Sequence, residues 1–139
     1  MFSSAVFASM VLVMSAIGAA IGIYLAGMSF LGVFSDPKIK IIKLVVFVGM
    51  PLVQLFYGMI LMNKILEIES LSLEKAGACL VIGLSIAACA IVQGRVCAKC
   101  CDACNKHEEG FGSAIMLAGI SESVGLFVAI FALNCIDKF

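Results

Sequence analysis

The chain has 139 residues and a net charge of zero; 63% of its residues are hydrophobic, 13% are charged, and the mean hydropathy is +1.20. A water-soluble domain of this size needs about 25% charged residues to clothe its surface, so the composition excludes one. The balanced charge excludes a basic nucleic-acid footprint, and with no GxxxxGK[ST] the chain does not hydrolyse ATP by itself; HExxH, GxSxG and a helix-opening GxGxxG are also missing.

Four stretches are almost free of charge: Met1–Ser35, Leu44–Asn63, Ala76–Gly94 and Gly110–Ile136. Each supplies the ~20 residues that cross a bilayer core as a helix. The expected fold is an all-α membrane protein, with four transmembrane helices as two tandem hairpins in a single membrane domain. Hairpin one takes about 1–63 and hairpin two about 73–137. The first stretch lacks a basic leader and outruns a signal peptide, so it reads as a retained helix. Gly18, Ala19, Ala20, Gly22, Ala26 and Gly27 make it rich in small residues, which let membrane helices approach closely.

The connection at Ser35–Lys43 holds Asp36, Pro37, Lys38, Lys40 and Lys43, and the third connection, Arg95–Glu109, holds Arg95, Lys99 and Lys106. Against these, Lys64 and Lys75 in the second connection are balanced by Glu67, Glu69 and Glu74. The basic bias puts turns one and three in the cytoplasm and both termini outside.

The second stretch carries Pro51, which cannot donate to the carbonyl of Phe47 and is expected to free carbonyls around Phe47–Met50. Gln54 lies at its midpoint, and Tyr57 follows three residues later on the same helix face. The third stretch repeats the small-residue bias and ends near Gln93. If that helix continues through Cys97–Cys104 and turns near His107, Gln93 becomes level with Glu122 on the returning helix. Cys97, Cys100, Cys101 and Cys104 have metal-site spacing, but i, i+3, i+4, i+7 is equally one face of a helix. A zinc site is the minor alternative to a packed seam. The other cysteines and the eight methionines read as packing residues, and no disulfide framework is expected.

Glu122 is the acidic residue inside the fourth stretch, with 12 uncharged residues before it and 14 after. A carboxylate near the midplane costs at least ~2.5–3.5 kcal/mol, and such residues usually line an ion or proton path. Carboxylate, amide and freed carbonyl oxygens are hard ligands suited to a small hard cation.

Met50-Pro51-Leu52-Val53-Gln54-Leu55-Phe56-Tyr57-Gly58, Val92-Gln93-Gly94-Arg95-Val96 and Glu122 with Gly125-Leu126-Phe127 occur in this order. Together they resemble the four-helix proteolipid (c-type, subunit K) of V-type and archaeal-type rotary ATPases. The resemblance implies a homo-oligomeric rotor ring with the small-residue helices inside, turning against a stator subunit that bears an arginine and joined to central-stalk subunits. Glu122 would carry one Na⁺ or H⁺ per subunit, with Gln54, Gln93, Met50 and Tyr57 around it and no other cofactor. Where the related sodium-binding pattern has threonine, this chain has Val53. The short turns suggest the plasma membrane of a prokaryote. The competing readings are a small membrane thiol or metal protein using Cys97–Cys104, and a small antiporter using Glu122.

Overall fold

The computed structural model describes residues 3–33 and 41–138. Among the described residues five α-helices make four spans: α1 (Ser4–Val33), α2 (Ile41–Gly49) continued by α3 (Val53–Leu66), α4 (Leu73–Lys106) and α5 (Phe111–Ile136). All four are long and apolar enough to cross a membrane. Most of turn one, including Asp36, Pro37, Lys38 and Lys40, lies outside the described residues.

The break between α2 and α3 follows from Pro51. Residues Met50–Leu52 wind as a 3₁₀ turn, with Pro at its start and the N–H of Val53 donating to the carbonyls of Met50 and Pro51. Pro51 has no N–H to offer the carbonyl of Phe47, whereas the Met50 carbonyl, expected to be free, already accepts the N–H of Val53. The second span stays continuous through the break.

Ser72 caps α4: its hydroxyl accepts from the N–H of Lys75 at 3.4 Å, satisfying one of the donors that a helix start leaves orphaned. From there α4 runs unbroken through the cysteine segment to Lys106, and His107 takes an extended conformation that stops it. The turn to α5 is a short 3₁₀ segment, Glu108–Gly110. In the second connection Lys64 and Glu67 pair at 3.0 Å, both largely in solvent.

α1 and α4 pack along a seam of small residues. A β-carbon on Gly18 would meet the backbone of Ala87, one on Gly22 the carbonyl of Ala90 and the ring of Pro51, and one on Gly94 the backbone of Gly22. Only residues without side chains allow helices this close, and close backbone packing is what associates helices in lipid. α3 joins the seam through Gly58, which fits over the buried Ser15 of α1. Ser15 returns its hydroxyl to the carbonyl of Val11 at 2.8 Å, which satisfies it inside the bundle.

Two apolar clusters fill the interior. One gathers Val11, Leu61, Ile65, Leu71, Cys79, Ile86 and Ala132. The other gathers Ala26, Leu44, Phe47, Cys97, Cys101 and Ala118. In each of the second, third and fourth spans, the polar residue lies between the two sets: Gln54 between Phe47 and Leu61, Gln93 between Ile86 and Cys97, Glu122 between Ala118 and Ala129. A polar layer thus crosses an otherwise apolar bundle near its mid-height. Outward-facing Ile17, Ile21, Val81, Leu84, Leu117, Phe127 and Phe131 are largely exposed, as helices surrounded by hydrocarbon require.

Candidate functional site

Helical rise explains how residues distant in sequence meet. At ~1.5 Å per residue, antiparallel α4 and α5 that turn at His107–Gly110 bring Gln93 and Glu122 to the same height. The side chains do meet: Nε2 of Gln93 donates to Oε2 of Glu122. On the other carboxylate oxygen, Oε1, the hydroxyl of Tyr57 donates at 3.0 Å. Glu122 is half-buried, held by one donor from α4 and one from α3.

Gln54 extends the network inward. Its Nε2 donates to Oε1 of Gln93 at 3.4 Å, and both amides are fully buried. The other end of the same amide, Oε1 of Gln54, is buried with no hydrogen-bond partner among the described residues. An amide oxygen withdrawn from water without a partner is costly, and native interiors rarely leave one. Gly125 makes room for this side chain, since a β-carbon there would fall onto the Gln54 amide. Gly125 belongs to the motif that follows Glu122 in the sequence, but its role as the space for Gln54 is visible only in the fold.

Of the five residues expected around an ion, Glu122, Gln93, Gln54 and Tyr57 are linked by hydrogen bonds. Met50 is not bonded to Glu122 by its side chain: its sulfur instead accepts from Sγ of Cys97 at 3.8 Å. Its carbonyl accepts from Val53, and a carbonyl oxygen with two lone pairs keeps one to offer. Ser123 returns its hydroxyl to the carbonyl of Gly119 at 3.0 Å. Ser121 lines a separate cavity of about 200 Å³ with Ala88, Cys89, Val92 and Val124.

The four clustered cysteines do not converge. Cys100 directs its sulfur to the carbonyl of Ala114 at 3.4 Å, and Cys101 to the carbonyl of Leu44 at 4.0 Å. Cys97 faces Met50. Among the described residues no three Cys, His, Asp or Glu side chains gather as a metal centre would need. All four are buried along the seams that α4 makes with α2 and α5, the packing role that helical spacing suggests. Sequence reasoning did not find Asp102, a half-buried carboxylate that accepts from Ser29 of α1 at 2.9 Å, with Lys99 at 3.8 Å.

What the arrangement offers chemically is a carboxylate at mid-height, two amide oxygens beside it, one of them unpartnered, and a phenol that fixes its orientation. No curated protein matches the chain in sequence. Residues 76–134, which run through most of α4 and α5 and contain both Gln93 and Glu122, match the family model for the C subunit of ATP synthase, a membrane ion-translocating component that is not catalytic by itself.

Proposed function

We propose that the chain is the rotor-ring subunit of a V-type rotary ATPase, of the kind called subunit K, and that it carries Na⁺ on Glu122. The observation that carries this reading is the buried, unpartnered Oε1 of Gln54 beside the Gln93–Glu122 pair. A proton carrier needs only the carboxylate and a dry surrounding. A second buried amide with an oxygen to spare is what a hard cation uses. The ligands proposed are the Glu122 carboxylate, the Oε1 atoms of Gln54 and Gln93 and the Met50 carbonyl, with water where Val53 offers no hydroxyl.

The cycle follows from electrostatics. A bare carboxylate cannot face hydrocarbon cheaply, whereas one neutralised by Na⁺ can. In a ring of copies packed through the α1 and α4 faces, rotation carries each neutralised Glu122 past lipid. A stator arginine then attracts the carboxylate and displaces the ion. Tyr57 acts as a positioning residue, holding Oε1 of the carboxylate toward α3. With one carboxylate at this depth, each copy in the ring transports one ion per turn. Both termini outside, the turns between α1 and α2 and between α4 and α5 in the cytoplasm, and a prokaryotic plasma membrane complete the assignment.

Labelling with a hydrophobic carbodiimide tests it, because the reagent attacks only the protonated acid. Na⁺ at neutral pH is expected to protect Glu122. Labelling that follows pH but ignores Na⁺ up to high concentration would make H⁺ the cargo, with the two glutamines bonding a protonated Glu122.

A further inference from the structure

The proposed ion site uses none of the sulfur gathered beside it. Cys97, Cys100, Cys101 and Cys104 lie in one buried cluster against which Met50 packs. Cys100 and Cys101 turn to carbonyl oxygens, but Cys97 meets another sulfur: its Sγ lies 3.8 Å from Sδ of Met50, across the contact between α4 and the 3₁₀ turn of the second span. We propose that Cys97 and Met50 together form a binding site for a soft monovalent cation, Cu(I) or Ag(I).

The donor types select the ion. Thiolate and thioether are soft ligands that favour Cu(I) over hard or borderline metals. A closed-shell monovalent ion accepts two donors, whereas zinc wants four, and the neighbouring thiols are directed elsewhere. Charge selects it again. On binding, the S–H bond of Cys97 breaks, the sulfur–metal bond forms and the proton leaves to buffer, with no change of oxidation state. One thiolate and one monovalent cation leave the site neutral, as hydrocarbon surroundings demand, while a divalent ion would leave a net positive charge there.

Reach is also present. Cys97 is fully buried and Met50 half-exposed, so the thioether is the outer of the two donors. The unbranched methionine side chain adjusts its sulfur at little cost, opening the pair from its contact distance to embrace a metal. Occupied, the site clamps α4 onto the Met50–Leu52 turn, one helical turn from Gln93.

The test uses the full chain purified in detergent, with Ag⁺ as probe and excess glutathione to strip silver from isolated thiols. Silver retained after gel filtration is counted per chain, and X-ray absorption reports its ligands. Wild type is expected to retain about one silver with two sulfur neighbours, and Cys135→Ala, which alters an exposed thiol, retains the same. Cys97→Ala and the conservative Met50→Leu each lose it. Retention by Met50→Leu equal to wild type, or no retention by wild type, would overturn the proposal. The readout does not involve Glu122, so it is decided separately from the ion-carrier reading.

Discussion

Gly125 of α5 leaves the space that the Gln54 side chain of α3 occupies: a β-carbon on Gly125 would lie 2.7 Å from Cδ of that amide. The amide is enclosed, so it cannot step aside without leaving the network. Gly125→Ala is therefore expected to expel Gln54 while α5 stays helical. The loss of one oxygen ligand should raise the Na⁺ concentration that half-protects Glu122 about tenfold, equivalent to about 1.4 kcal/mol. Unchanged protection would remove Gln54 from the ligand set.

Tyr57→Phe removes the hydroxyl that donates to Glu122 at 3.0 Å and leaves the ring packed. A hydrogen bond to a charged group is worth roughly 1.5–3 kcal/mol, less where water reaches it. Half-protection by Na⁺ should again shift upward, by about tenfold, with helix content by circular dichroism unaltered.

Val53→Thr places a hydroxyl one residue before Gln54, on a half-buried position of α3. If Na⁺ is the cargo, the added oxygen replaces a bound water and half-protection moves to lower Na⁺. A proton carrier gains nothing from it, so the direction of this shift separates the two cargoes.

Among the small residues of the α1–α4 seam, the tolerated substitutions should differ by what each meets. A β-carbon on Gly83 meets the flexible end of Met14 at 2.8 Å and the Val11 backbone only at 3.3 Å, but on Gly22 it meets the Ala90 carbonyl at 2.5 Å and Pro51 at 2.8 Å. Backbone cannot yield as a thioether can. Gly83→Ala should thus assemble nearly as wild type on a gel in mild detergent, while Gly22→Ala lowers the temperature at which the assembly is lost. Equal loss in the two variants would contradict the seam described here.

Much of this was legible in the residues because helices convert spacing into height. Gln93 lies two residues before Arg95 and reads at first as the end of a span. It joins Glu122 because α4 continues through its cysteines to Lys106. The cysteine spacing fits a metal site and a helix face equally, and only the fold shows that Cys97, Cys100 and Cys101 each meet a different neighbour. The turn at Pro51 was only partly legible. A proline shows that a bond is lost, but the 3₁₀ winding that recaptures the Met50 carbonyl depends on how α2 and α3 are held against α1 and α4. The packing of Gln54 against Gly125, the Ser29–Asp102 bond and the unpartnered face of Gln54 depend on helix rotation, which no single-helix pattern fixes.

ATP-driven ion uptake by membrane vesicles containing the assembled complex reads directly whether Glu122 carries the transported ion. Glu122→Gln keeps the size and polarity of the side chain but cannot become an anion. The variant complex is expected to assemble while its uptake of Na⁺ falls to background. Uptake at the wild-type rate in that variant would contradict a carrier role for Glu122.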